Sequence, residues 1–173
     1  MLVQMGSAMN RRMARLSICP SLLLALMFLS RGVSAADMET VKIAPDKKGF
    51  VLSPSGARYV PWGHNYASVD ILQRLAKEPE RVEREFAEMK GAGTTVARIH
   101  PELPRILLAP GKVNPEELTQ LKKLLKIAER AGIHLKITGL ACYKIKDRAA
   151  WYDSLAEQDR WKTQAFFWET IAK

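Results

Sequence analysis

The chain has 173 residues, of which 27 are basic and 18 acidic, so its net charge at pH 7 is +9. The first 35 residues hold four arginines and no acid, and without them the net charge falls to +5. The remaining basic residues are scattered along the chain, whereas a nucleic-acid interface concentrates them on one face with aromatic residues between them. We therefore expect no nucleic-acid partner. Cys142 is the sole cysteine after residue 35, so that part of the chain forms no internal disulfide. We interpret it as a small packed residue rather than a nucleophile or a metal ligand.

The segment 1–35 has the pattern of an export signal. Three arginines between residues 11 and 15 precede an apolar stretch over residues 16–29, and Val33 and Ala35 mark a cleavage site. The apolar stretch is short for a membrane span, and no later segment is apolar over about 18 residues. We therefore expect a secreted or periplasmic protein without stable membrane insertion after cleavage. An uncleaved membrane anchor is the alternative.

The next part of the chain predicts a loose lead-in and a small hairpin. Residues 36–48 are polar and contain Pro45, which favours a flexible segment. Short strands at 50–52 and 57–60 flank a turn-forming Ser-Pro-Ser-Gly sequence. The hairpin would lead directly into the first strand of the main sheet.

Three strand-like runs follow, over residues 59–66, 94–102 and 133–143, and each ends in polar or aromatic residues. Their last apolar residues, Val60, Ile99 and Leu140, recur at nearly even spacing, and a helical pattern fills each gap. Strands joined by helical crossovers run parallel, so their carboxyl ends meet at one edge of a sheet. Any chemistry is expected at that edge.

Three helices are predicted from their end signals and apolar stripes. The first begins near Pro79 and ends at the glycines of 91–93, the second is capped by Asn114 and stopped by Gly132, and the third starts near Asp159. Glu117 is expected to complete a capping box with Asn114. The stripes expected to face the core are Val82, Phe86 and Met89 in the first helix, Leu118, Leu121, Leu125 and Ala128 with Leu124 beside them in the second, and Trp161, Ala165, Trp168 and Ile171 in the third.

The alternation of strands and helices predicts an α/β fold with a parallel sheet. Segments 60–66, 94–100 and 131–133 together resemble the opening of cellulase-like enzymes of glycoside hydrolase family 5, whose first strand ends in a Gly-x-Asn-aromatic sequence and whose second carries Val-x-Arg. The resemblance covers residues 49–173. It implies a partial TIM (β/α)8 barrel, namely the first three βα units preceded by a short β-hairpin.

In that family two glutamates carry the chemistry, an acid/base usually within Asn-Glu-Pro after the fourth strand and a nucleophile at the seventh. Residues 1–173 contain no Asn-Glu-Pro. We therefore expect the N-terminal portion of a hydrolase, lacking both catalytic glutamates and inactive by itself. Glu102 is an acid at a predicted strand end, and we interpret it as a salt-bridged or solvated loop residue rather than a catalytic acid.

The resemblance also implies candidate substrate-binding residues. Arg98 corresponds to the second-strand arginine that favours the ionised form of the nucleophile; a structural arginine paired inside the barrel is the alternative. His100 lies two residues on and faces the same side; it either contacts a sugar hydroxyl or stabilises the following loop. Asn65 and Tyr66 either contact sugar or tie down local backbone. Tyr143 is a candidate substrate contact where many family members carry a histidine.

The aromatic residues are assigned mainly to the core. Trp62 is expected to pack inside rather than to stack on pyranose rings, and the same holds for four others: Trp151, Tyr152, Trp161 and Trp168. No cofactor is expected. No metal site is expected either, because the three histidines lie on separate segments.

The export signal and the resemblance together lead us to expect part of an exported hydrolase that, in its full form, cleaves β-linked polysaccharide or oligosaccharide with retention. A non-catalytic carbohydrate-binding or half-barrel interaction protein is the alternative, since a three-stranded sheet has unpaired edges. A different (β/α)8 enzyme with a metal is disfavoured because the first strand lacks paired histidines.

Overall fold

The computed structural model describes residues 38–66, 70–139 and 148–173. The strands in these ranges are β1 (Thr40–Ile43), β2 (Phe50–Ser53), β3 (Arg58–Tyr59), β4 (Gly63–Asn65), β5 (Val96–Ile99), β6 (Leu107–Ala109), β7 (Lys112–Val113) and β8 (His134–Ile137). The helices are α1 (Ile71–Lys77), α2 (Pro79–Gly91), α3 (Leu103–Ile106), α4 (Pro115–Ala131), α5 (Ala150–Asp153) and α6 (Glu157–Ala172). The export signal predicted for residues 1–35 lies outside the described residues.

A small antiparallel sheet opens the described chain, in the order β1-β2-β3. The predicted hairpin is confirmed as the pair β2–β3, in which Phe50 lies opposite Tyr59. The loose lead-in expected at 36–48 is wrong in part, because Thr40–Ile43 pairs with β2 along its whole length. Thr, Val and Ile favour extended backbone, and pairing with β2 satisfies their backbone groups.

The main sheet is parallel, with the order β4-β5-β8. This confirms the three parallel strands, but the first of them begins later than expected. Val60 belongs to no strand and is exposed, and β4 starts at Gly63. The apolar residues at 59–60 suggested the start of the first parallel strand, but Tyr59 is the last residue of the hairpin strand β3. In the described residues the sheet has three strands and no barrel is closed.

The joint between the two sheets lies at the amino end of the parallel strands. The Tyr59 hydroxyl donates to the Thr95 carbonyl oxygen at 3.1 Å, and the His134 ring packs edge-on against Tyr59 with centroids 5.0 Å apart. His134 Nε2 lies 2.9 Å from the carbonyl oxygen of Glu39. The Thr95 hydroxyl donates to the carbonyl oxygen of Val60 at 2.8 Å. These contacts fix the small sheet to the end opposite the expected chemistry.

Helices α2 and α4 confirm their end signals. Pro79 opens α2, and its buried residues are Val82, Phe86 and Met89, as predicted. The Asn114 side chain accepts from the Glu116 backbone N–H at 3.2 Å, and Gly132 ends α4 with a positive φ of 63°. The capping box is wrong at its second member, because the Glu117 carboxylate accepts a hydrogen bond from Gln73 on α1 instead.

The buried stripe of α4 is rotated relative to the prediction. Leu121, Leu124, Ile127 and Ala128 are buried, whereas Leu125 is 40% exposed. A helix with leucines at 118, 121, 124 and 125 has two overlapping apolar stripes. Packing against the sheet and α1 determines which of the two stripes is buried. Short elements that sequence patterns did not indicate, α1, α3, β6 and β7, complete the layer around α4.

The tryptophans of α6 face outward, which overturns the predicted packing stripe. Thr163 and Phe167 are buried, while Trp161 is 65% and Trp168 39% exposed. The Phe167 ring lies so close to Gly139 that a Cβ there would meet its Cε1 at 2.2 Å. Because the Phe167 ring fits against Gly139, the side of α6 that carries Phe167 faces the core. Trp62, also expected inside, is 53% exposed. Trp151 and Tyr152 pack against the core as expected.

Candidate functional site

The parallel sheet has one face covered by helices and one uncovered. Ala97 and Ile99 on β5 are fully buried, while Arg98 between them is exposed. Successive strand residues point to opposite faces, so Arg98 marks the side that we call the exposed face and Ala97 marks the helix-packed face. In a closed (β/α)8 barrel the helices cover the outer face of the sheet, so a face without helices is the one that would line the barrel interior.

Three polar residues share one row of the exposed face. Asn65 on β4 is paired in register with Arg98 on β5, and Arg98 is paired with Lys136 on β8. All three are exposed. Neighbours in register on parallel strands present their side chains to the same face, so the row offers an amide, a guanidinium and an ammonium side by side. Sequence analysis selected Asn65 and Arg98 but missed Lys136, whose alternation with Leu135 and Ile137 was the available signal.

A hydroxyl connects Arg98 to His100 at the carboxyl end of the row. Arg98 Nε donates to Thr138 Oγ1 at 3.2 Å, and the same oxygen lies 2.9 Å from His100 Nδ1. Thr138 Oγ1 also donates to the carbonyl oxygen of Ile99 at 3.0 Å. A hydroxyl has one hydrogen and two lone pairs, so this set satisfies it when His100 Nδ1 carries the proton. Thr138 was missed by sequence analysis because the third strand was expected to continue to Leu140, whereas β8 ends at Ile137, so the strand end was sought too late in the sequence.

His100 and Glu102 are buried behind this row. His100 is 7% and Glu102 6% exposed. Burial contradicts one of the two alternatives given for Glu102, the solvated loop residue, and leaves the salt-bridged one; the loop folds inward because Leu103 and Ile106, on the short helix that follows, are buried in the core. The buried His100 is connected to the exposed face through the 2.9 Å contact of its Nδ1 with Thr138 Oγ1.

Tyr66 lies on the opposite side of the sheet from Asn65 and Arg98. Its ring packs edge-on against Phe86, with centroids 5.6 Å apart, and its hydroxyl donates to the Glu85 carboxylate. The Arg74 guanidinium lies 5.1 Å from the ring centroid and 3.2 Å from Glu85 Oε2. Tyr66 therefore joins a network between the strand end and the helices, and the structure does not bring it into the row.

This network shifts two pKa values. Burial, and then the hydrogen bond to Glu85, raise the pKa of the Tyr66 phenol well above its usual range. For Glu85, burial acts upward, but the hydrogen bonds from Tyr66 and Arg81 and the charge of Arg74 outweigh it and lower the pKa of the carboxyl. Tyr66 is thus held neutral and Glu85 ionised at neutral pH, which suits a structural anchor.

Tyr143 and Cys142 lie outside the described residues. His64, between Gly63 and Asn65, turns away from the row, and its Nδ1 lies 2.9 Å from Thr94 Oγ1. Across residues 38–66, 70–139 and 148–173, no group of three or more histidine, cysteine or carboxylate side chains could hold a metal ion. Over the same ranges, no helix combines the length and hydropathy required to cross a bilayer.

Comparisons with known proteins relate the chain to one enzyme fold. No family model matches, and no curated protein sequence matches. Among solved structures, the chain is similar to the exo-beta-1,4-mannosidase Op5Man5 from Opitutaceae bacterium strain TAV5, with a TM-score of 0.57 and 20% sequence identity. The similarity covers 68% of this chain and 22% of the mannosidase. The likeness concerns the fold alone, and the chain spans about a fifth of that enzyme's length.

Proposed function

We propose that this chain is the N-terminal part of an exported glycoside hydrolase that acts on β-linked polysaccharide with a retaining mechanism. The observation that carries the proposal is the row formed by Asn65, Arg98 and Lys136, which gathers three hydrogen-bond donors on the exposed face of a parallel sheet. The fold similarity to an exo-beta-1,4-mannosidase supports it and makes β-1,4-mannan the first ligand to test.

In this proposal Arg98 is the electrostatic centre of the site. A cation next to a carboxylate favours the ionised, nucleophilic form. Retaining hydrolysis needs two carboxyl groups about 5 Å apart, and we assign both to polypeptide beyond residues 1–173. Thr138 is a positioning residue, since its hydroxyl accepts from Arg98 and orients the guanidinium. Asn65 and Lys136 supply donors for sugar hydroxyls on either side.

The test is oligosaccharide binding by the 173-residue chain, followed residue by residue in ¹H–¹⁵N NMR spectra during titration with β-1,4-mannobiose. We expect changes in the backbone amide chemical shifts of Asn65, Arg98, Lys136 and Thr138. The Arg98→Ala variant should bind mannobiose at least tenfold more weakly. Arg84→Ala, which removes an exposed arginine from α2, is the matched control and retains the affinity. Shifts confined to other residues, or equal loss in both variants, would overturn the assignment.

A second assay addresses the carboxylates. Chromogenic aryl β-glycosides and soluble β-mannan should show no turnover with residues 1–173 alone, because this proposal places the acid/base and the nucleophile elsewhere. Clear hydrolysis that survives Arg98→Ala would contradict both the assignment of the carboxylates and the role of the row.

The second candidate function is a non-catalytic carbohydrate-binding or half-barrel protein that pairs with another chain. One feature favours it: in the described residues β4 and β8 are edge strands of the parallel sheet, and unpaired strand edges associate readily. Size-exclusion chromatography separates the two candidates. A sharp, concentration-independent dimer supports pairing, whereas polydisperse material supports a part of a larger barrel.

A further inference from the structure

Two tryptophans lie on the outer surface of α6, away from the row on the sheet. Trp161 is 65% and Trp168 39% exposed, and Ala165 between them is also exposed. Seven residues make nearly two helical turns, so the two side chains leave the same side of the helix about 10.5 Å apart along its axis. Ala165 leaves the surface between them without a bulky side chain.

Local contacts restrain both indole rings. Trp161 Nε1 donates to Glu157 Oε1 at 3.4 Å, one turn earlier. The Trp168 ring packs edge-on against buried Phe167, with centroids 5.2 Å apart and planes 82° apart. The 3.4 Å contact restrains Trp161 only weakly, whereas the packed Trp168 ring loses less side-chain freedom on binding than a free ring would.

The surroundings of the two rings favour a polyhydroxylated ligand over a protein partner. The other exposed residues of α6 are polar or small: Glu157, Gln158, Asp159, Lys162, Ala165, Glu169 and Ala172. A protein-binding helix face would add larger aliphatic side chains to its aromatic anchors. Lys162 pairs with Asp159 at 3.0 Å and Lys173 with Glu169 at 2.6 Å, so positive and negative groups alternate beside the rings. Such a border offers donors and acceptors to a neutral ligand.

We propose that Trp161 and Trp168 form an accessory surface for an extended β-1,4-linked glycan, which we call the α6 platform. The C–H groups on one side of a pyranose carry partial positive charge and pack on the negative face of an indole ring. In an extended β-1,4-linked chain every second pyranose presents the same side, at a repeat close to the ~10.5 Å between the tryptophans. The ligand class rests on the proposed function, but the platform is separate from the row on the sheet.

The test measures how much of the 173-residue chain is depleted from solution by insoluble β-1,4-mannan. We expect the wild-type chain to bind and the double variant Trp161→Ala/Trp168→Ala to bind at least tenfold more weakly. Trp62→Ala is the matched control, since it removes an equally exposed tryptophan from a different part of the fold. Phenylalanine at both α6 positions should restore part of the binding, because it keeps a ring.

Starch granules provide the geometric control, because an α-1,4-linked chain is coiled and lacks the extended repeat. Equal binding to starch and mannan, no binding of wild type to mannan, or unchanged binding of the double alanine variant would each overturn the α6 platform. The Arg98→Ala variant should still bind insoluble mannan. In the double alanine variant, mannobiose should still change the amide chemical shifts of the residues around Arg98. Failure of the proposed function and failure of the platform therefore give different results.

Discussion

The two faces of the parallel sheet use alternate residues of the same strands for opposite purposes. On β5, Ala97 and Ile99 are fully buried beneath the helices, whereas Arg98 is exposed beside Asn65 and Lys136. One face is held by apolar packing and the other carries three polar side chains. The difference predicts that stability and the proposed binding depend on different, neighbouring residues of the same strand, and the following substitutions test that separation.

The largest effect is expected from the helix-packed face. Phe86 is fully buried in the core. Phe86→Ala should lower the free energy of unfolding by about 3–5 kcal/mol through lost burial and a residual cavity. Urea denaturation followed by circular dichroism measures this loss. Arg84→Ala on the same helix should stay within about 0.5 kcal/mol of wild type. A small loss at Phe86 would mean that the core is not built around it.

The next largest loss of stability is expected where β4 and β5 approach each other closely. A Cβ at Gly63 would lie 1.9 Å from the Val96 carbonyl oxygen, and this obstacle is backbone. Gly63→Ala should cost about 1–3 kcal/mol by forcing the two strands apart. Gly49→Ala, where nothing lies within 4 Å of the new Cβ, is the control and should leave the unfolding midpoint nearly unchanged. Equal effects at the two glycines would contradict the close pairing.

The Tyr66 network should give a smaller, pH-dependent effect. Tyr66→Phe removes the hydroxyl bound to Glu85 and should cost about 1–2 kcal/mol at pH 7. Because folding raises the pKa of Tyr66 above the ordinary value of 10.0, its contribution is complete below that pH and is lost as the pH rises further. The wild-type advantage over Tyr66→Phe should therefore shrink above about pH 10. An advantage that stays constant to pH 11 would contradict the shift.

The smallest effect on stability should come from the exposed face. Arg98→Ala should change the free energy of unfolding by no more than about 0.5 kcal/mol, because the side chain is exposed and makes one hydrogen bond to Thr138. Thermal unfolding measures the change. A loss comparable to that of Phe86→Ala would show that the row is structural and would remove the separation between the two faces.

Sequence patterns predicted the elements whose ends carry explicit signals. Pro79 marked the start of α2, and Asn114 and Gly132 marked the ends of α4, because a missing N–H, a capping side chain and a left-handed residue act locally and need no tertiary context. The parallel order also followed from the alternation of strands and helices. By contrast, the boundary between β3 and β4 was misplaced, since apolar residues at 59–62 suit either sheet and only pairing distinguishes them.

Where apolar residues occur on all sides of a helix, the buried side was harder to predict. On α6, Phe167 and Trp168 are adjacent and point in different directions, and the choice is made by Gly139 on a distant segment. The same limit applies to the candidate site. Arg98 became a candidate through the Val-x-Arg resemblance, but Lys136 and Thr138 became candidates only when the structure placed them beside it.

The contact between Glu39 and His134 determines where the chain can be tethered. Because residue 39 is fastened beside the first residue of β8, the polypeptide enters this domain at the end of the sheet opposite Thr138. A tag or a solid support joined just ahead of residue 38 would therefore leave the Arg98 side facing the solution. Immobilised binding measurements should use that attachment.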